Sequence, residues 1–369
     1  MSPGLAATRR RALQLLCAAL ALPARPPRVA AQSLPAFAPV LPGYALRFPL
    51  DYGAHPQFGL EWWYVTGWLG SRGPAPLGFQ ITFFRTRPAV QEDNPSAFAP
   101  QQLLIAHCAL SDPARGRLWQ DQRIRRAGLG LAQAEPGDTK IWIDDWRLER
   151  QGENYSARLV ALDFALDLVL EPTQPPLLQG VAGFSQKAAA TRAASYYYSL
   201  PHLKVRGAIA RDARRESVTG EAWLDHEWSS AYLDPQAQGW DWTAINLDDG
   251  GAVMAFRMRS RNGDTLWAGG SVRTAAGTVQ TLQPTDVQFS PGRQWRSQRT
   301  GTSYPVAWLV RAGARLLALE PLLDDQENDT RLTTGAVYWE GAVRAQENGR
   351  EVGRGYVELT GYGAPLALP

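Results

Sequence analysis

Glu61-Trp62-Trp63-Tyr64-Val65, followed after a turn by Phe79 to Phe84-Arg85-Thr86-Arg87, returns much later as Gly239-Trp240-Asp241-Trp242-Thr243, followed after Asp248-Asp249-Gly250-Gly251 by Phe256-Arg257-Met258-Arg259. Each copy is a Trp-rich strand, a turn, and a strand ending Phe-Arg-x-Arg. The closing segments echo too: Val218-Thr219-Gly220-Glu221-Ala222-Trp223-Leu224 resembles Val352-Gly353-Arg354-Gly355-Tyr356-Val357-Glu358-Leu359. Like motifs this far apart mark an internal repeat. The chain therefore opens and closes a β-structure twice, with a boundary expected near Leu233-Asp234-Pro235. Between these landmarks, short apolar and aromatic runs alternate with Gly, Pro, Asp and Asn punctuation, as an all-β protein requires. Trp62–Leu69, Phe79–Arg85, Ser156–Leu170, Thr243–Leu247, Ala252–Met258 and Ala336–Arg344 read this way. Gln186–Ala194 reads as a loop or short helix. The expected fold class is all-β, two barrel-like halves packed against each other. Barrel closure removes exposed edges and leaves an interior that can hold a ligand.

Composition agrees with two domains, since 369 residues exceed one ordinary domain. The chain carries 14 Trp, 12 Tyr and 11 Phe, enough to line both a core and a pocket with aromatic area. Residues 1–31 hold five arginines and no acid, so removing them lowers the formal charge by five, from +3 to −2. A slightly acidic mature chain has no electrostatic reason to seek nucleic acid. Removal is expected because Thr8-Arg9-Arg10-Arg11 precedes the apolar stretch 12–23, and Val29-Ala30-Ala31 supplies small residues for a signal peptidase. That stretch is shorter than the roughly 20 residues a membrane span needs. The expectation is an export signal at 1–31, suited to the twin-arginine route or the general secretory one. The product would be periplasmic or secreted, without stable membrane insertion. Cys17 leaves with the signal, and Cys108 then has no partner; its apolar surroundings predict a buried, inert thiol.

Chemistry concentrates in Trp223-Leu224-Asp225-His226-Glu227-Trp228-Ser229-Ser230. An imidazole between two carboxylates, flanked by indoles, is unusual material for a plain strand. With a period of two, His226 and Trp228 share one face while Asp225 and Glu227 share the other. Likewise Trp240 and Trp242 share a face with Asp241 opposite, and Glu61 points with Trp63. Carboxyls desolvated against aromatic walls make tuned proton donors, and indole faces stabilise a developing cation by about 2 kcal/mol when dry. The alternative is a buried polar hub tying the halves together, because structural networks perturb ionisable groups too. His55, His107, His202 and His226 lack ligand spacing, so no metal is expected. No Gly-x-Ser-x-Gly elbow or phosphate loop occurs.

Several motifs resemble one family. They are Leu60-Glu61-Trp62-Trp63-Tyr64-Val65-Thr66-Gly67, Gly78-Phe79-Gln80-Ile81-Thr82-Phe83-Phe84-Arg85, Ala106-His107-Cys108-Ala109-Leu110-Ser111-Asp112, Tyr197-Tyr198-Ser199, Leu224-Asp225-His226-Glu227-Trp228, Gly239-Trp240-Asp241-Trp242 and Tyr338-Trp339-Glu340-Gly341. Together they resemble the carotenoid 1,2-hydratase/AttH-like family, whose members are often labelled secreted hydrolases. The resemblance implies two lipocalin-like barrels, here 42–233 and 234–369, around a pocket for a small hydrophobic molecule (isoprenoid, polyketide or lipid-like). It implies a hydratase-like or hydrolase-like enzyme without cofactor, or a non-catalytic carrier working with transporter subunits of the ABC type. The hydratases' His-x-Trp pair maps onto His226 and Trp228. Their Tyr-x-Asp pair should fall in 253–258, where neither residue occurs. The expected catalytic group is His226, Asp225, Glu227 and Trp228. Glu61, Trp63, Tyr64, Gln80, Tyr197, Tyr198, Trp240, Asp241 and Trp242 are expected to bind substrate.

Overall fold

The computed structural model describes residues 37–70, 75–88, 96, 99–189 and 192–366. The export segment 1–31 lies outside them. The described residues belong to one compact unit spanning Ala36–Pro369.

They form no α-helix, only strands and three single-turn 3₁₀ segments. Two large antiparallel sheets divide the chain, and the passage between them falls between Ala231 and Ala237. In the first, the strand Leu60–Leu69 lies between Leu77–Thr86 and the 18-residue strand Arg214–Ala231. The sheet curls until Arg117–Arg126, at one end of the strand order, meets the hairpin Lys140–Ile143/Trp146–Gln151 near the other; Arg123 reaches Ile143 O at 3.4 Å. In the second, Ala237–Leu247 lies between Ala252–Ser260 and Arg350–Leu359. Both sheets wrap an apolar interior, and a third apolar cluster fills the seam where they pack. The fold is two lipocalin-like barrels in tandem. The expected single run Ser156–Leu170 is corrected to two strands, Asn154–Val160 and Phe164–Glu171, because Leu162-Asp163 turns the chain at the surface.

The repeat extends to register. Glu61 lies opposite Arg85 in the first sheet, and Asp241 lies opposite Arg257 in the second. Each is a buried ion pair inside its own barrel, Glu61 to Arg85 at 2.7 Å and Asp241 to Arg257 at 2.7 Å. Superposing these pairs matches Trp62 with Trp242. Their partners in the closing strands are Glu227 and Glu358 respectively. The two glutamates are repeat equivalents, and both point into the seam.

Candidate functional site

The strand Arg214–Ala231 is buried on both faces over residues 222–229, so its alternation separates two environments. His226 and Trp228 point into the first barrel. There the His226 imidazole sits 2.9 Å from Glu61 through Nε2 and 3.0 Å from the Tyr198 hydroxyl through Nδ1. Glu61 also accepts from Arg85 Nε at 2.7 Å and His55 Nδ1 at 2.7 Å, while Asp51 lies 3.2 Å from His55 Nε2. Trp63 stacks on His226 and Trp228 on His55, with ring centroids 4.5 Å and 3.8 Å apart. Burial pulls His226 down to about 4, so its ring is neutral, donating to Glu61 and accepting from Tyr198. Arg85 and the histidines hold Glu61 well below the usual carboxylate range against the opposing effect of burial.

His226 and Trp228 line neither the chamber between the sheets nor the vestibule that adjoins it, so the expected catalytic group of His226, Asp225, Glu227 and Trp228 is divided between two environments. Strand alternation sends the first pair inward and the second to the seam. Glu61, Trp63 and Tyr198 go inward with His226. Asp241 goes into the second barrel, paired with Arg257 and accepting from the Tyr362 hydroxyl at 3.0 Å. His55, Glu61 and His226 offer three ligand atoms within 4.8 Å of one another. The Arg85 guanidinium on the same carboxylate opposes a dication there.

The other face lines a chamber of about 50 Å³ between the sheets. Asp225, Glu227, Glu340 and Glu358 bring four carboxyls into it, against Trp62, Trp240 and Trp242. Asp225 accepts from Trp223 Nε1 at 2.7 Å, Ser199 Oγ at 2.5 Å and Tyr197 OH at 2.6 Å, and Tyr197 in turn accepts from Trp242 Nε1 at 3.1 Å. Even so, burial pushes Asp225 up to about 7. Glu227 accepts from Ser195 and pairs with Lys187 at 2.8 Å. Glu358 accepts from Trp240 Nε1 at 3.0 Å, and burial, with Asp225 and Glu227 nearby, pushes it up to about 7. Glu340 lies opposite Glu358 across the ladder and is raised well above the usual range by burial and by that neighbour. The Tyr64 and Tyr338 hydroxyls face the Glu340 carboxyl across this chamber and oppose the upward push of burial on it. Gln80 is buried and donates to Thr82, which lines the chamber.

A vestibule of about 230 Å³ adjoins it, and Leu60, Phe84, Trp240, Tyr338 and Glu358 line both spaces. Glu358 therefore stands at the junction. In the vestibule wall, His107 bonds Tyr338 at 2.9 Å and Thr333 at 3.0 Å, and burial pulls it down to about 3. A space of about 50 Å³ has room for one or two waters, and the vestibule has several times that volume. Of the expected site residues, the structure brings together Asp225, Glu227, Tyr64, Tyr197, Trp240 and Trp242. The sequence reading missed Glu340, Glu358 and Lys187. Glu358 carried a signal: it lies in the echoed closing segment, alternating with Val357 and Leu359 and so facing away from them.

The AttH-like family model matches residues 39–362. A solved structure of an AttH from Nitrosomonas europaea is 53% identical and superposes with a TM-score of 0.83, covering 88% of this chain and 100% of that one. Kievitone hydratase from Nectria haematococca shares the fold at 13% identity, with a TM-score of 0.64 over 87% of this chain and 94% of its own. CghA does so at 12% identity and a TM-score of 0.52, over 88% and 96%. No curated protein matches the sequence.

Proposed function

The chain belongs to the AttH-like family, and from that premise we propose that it is an exported protein that binds a small hydrophobic molecule and adds water across one of its carbon–carbon double bonds. The ligand is of the isoprenoid, polyketide or lipid-like class. One observation carries the reading: Glu358, raised to about 7, stands where an apolar vestibule meets an acid-lined chamber. A carboxyl that stays protonated near neutrality can give a proton to an alkene held in the vestibule. Positive charge then develops on the neighbouring carbon, beside Trp62, Trp240 and Trp242, and a desolvated indole face is worth about 2 kcal/mol to such a cation. Water from the chamber adds, and its surplus proton passes to a chamber carboxylate. The kievitone hydratase fold fits this chemistry, and the reading adds a hydratase-like activity to that shared fold.

A carrier without turnover is the second reading, favoured by the apolar side chains Met254, Phe256 and Met258 in the segment where the hydratases' Tyr-x-Asp pair was expected. Native mass spectrometry of protein purified from its own host identifies the travelling ligand. That ligand is then incubated in heavy-oxygen water. Glu358→Gln should keep binding, read as quenched indole fluorescence, and lose 10²–10⁴-fold in label incorporation. A wild-type protein that binds and never incorporates label is a carrier, with transporter subunits as the partner class to test.

A further inference from the structure

Repeat symmetry puts two equivalent glutamates in one chamber. Glu227 lies opposite Trp62, and Glu358 lies opposite Trp242, in matching registers. Water addition needs unequal partners, one giving a proton and one taking it. One cation in the described structure breaks this symmetry. Lys187 is 1% exposed, and its Nζ lies 2.8 Å from Glu227 Oε1 and 3.0 Å from Ser185 Oγ. The rings of Phe256, Tyr197 and Tyr232 surround it, with Nζ 4.2, 5.1 and 5.2 Å from their centroids. At the equivalent position, Glu358 meets an indole N–H from Trp240 and the carboxyl of Glu340 instead.

We propose that Lys187 is a positioning residue that divides labour between the two glutamates, holding Glu227 as the carboxylate that takes a proton from water while Glu358 keeps the proton it gives. The inference rests on the hydration reading. The step balances. The Glu358 O–H bond breaks as the alkene π pair forms a C–H bond. The neighbouring cationic carbon forms a C–O bond to water, and that oxygen's surplus proton moves to Glu227. One water is consumed, Glu358 is left ionised and Glu227 protonated. Transfer from Glu227 back to Glu358 resets the site.

The groups facing Glu227 are Lys187 and Ser195 by direct contact, with Tyr197, Tyr232, Asp225 and Glu358 around the chamber. Burial pushes Glu227 up and the Lys187 ammonium opposes it; burial pulls Lys187 down and Glu227 opposes that. Of the two repeat-equivalent glutamates in that chamber, Glu227 has a cation against it and Glu358, among the described residues, does not.

The test is a carboxyl NMR titration of protein carrying isotopically labelled glutamate, with Glu227→Gln and Glu358→Gln assigning the two resonances. In wild type, Glu227 should lose its proton at lower pH than Glu358. Lys187→Met should raise the Glu227 midpoint by about one unit or more, a tenfold change in its protonation ratio. Glu358 should change little, because neutralising Glu227 as Lys187 is lost keeps its neighbourhood's net charge. Lys187→Arg should restore the low Glu227 midpoint. A Glu227 midpoint at or above that of Glu358 in wild type overturns the proposal, as does an unmoved midpoint in folded Lys187→Met. If Lys187→Met does not fold, the wild-type order decides. Failure to incorporate heavy oxygen would sink the hydration reading and leave this titration untouched, so the two fail separately.

Discussion

His226 and Glu227 are neighbours in sequence and face different rooms. His226 belongs to a buried network in which every charge has a partner. Removing one partner from such a network typically costs 3–5 kcal/mol, because the other charge stays buried and uncompensated. Arg85→Met, which strips Glu61 of its guanidinium, should cost that much in a urea titration; a loss under about 1 kcal/mol would show that the ion pair is dispensable. Glu358 behaves oppositely. Its folded value near 7 lies above the ordinary carboxyl value, so the folded state binds more protons than the unfolded state between about pH 4 and 7. Stability from this group is therefore present at low pH and lost as pH rises through about 7. Glu358→Gln removes the dependence. The melting temperature of the variant should gain on wild type as pH rises from about 5 to 8; a gap that stays constant would mean that Glu358 ionises freely.

At the scale of the strand, alternation in the sequence already showed which side chains share a face. Trp62 and Tyr64 run together against Glu61 and Trp63, and His226 and Trp228 against Asp225 and Glu227. It could not show which face turns inward, because Leu60–Leu69 is buried on both sides except for partial exposure at Trp62. Hydrophobicity cannot orient a strand whose two faces are both covered. Hence His226, a conspicuous residue, was grouped with Asp225 and Glu227 although it faces the other way. Glu358 and Lys187 were out of reach for a different reason: their roles follow from the register Trp242 to Glu358 and from a contact across 40 residues to Glu227, both long-range facts. That register is itself exposed to test. Gly355 lies so close to the neighbouring ladder that an added Cβ would stand 1.7 Å from Ala244 O. Gly355→Ala must therefore part Arg350–Leu359 from Ala237–Leu247, the strands that carry Glu358 and Trp242. The expected cost is about 3 kcal/mol, the upper end of ordinary single substitutions, with weakened ligand quenching alongside. A variant as stable as wild type would contradict the register.

The whole molecule is held at its seam by apolar and polar contacts together. Tyr64, Trp68 and Trp223 of the first sheet pack with Met254, Phe256 and Tyr356 of the second. Around them, Ser111 bonds Gln326 at 2.7 Å, Gln179 takes the Ser271 hydroxyl at 2.7 Å, His202 reaches Gly251 O at 2.7 Å and Trp68 reaches Gly355 O at 3.0 Å. Each barrel alone would leave those polar groups to water and a broad aromatic face exposed. Although each large sheet has the strands to close a barrel, we expect neither half to fold cooperatively by itself, and the full chain to unfold in one transition. The chamber turns this into a functional test, because both sheets supply its walls. A ligand bound there at 100 times its dissociation constant adds about 2.7 kcal/mol to whatever unfolds with the site. If the barrels unfold together, ligand should move the single calorimetric transition as a whole. Two resolved transitions, with only one shifted by ligand, would mean that the pocket belongs to one barrel and that the seam is a contact between independent domains.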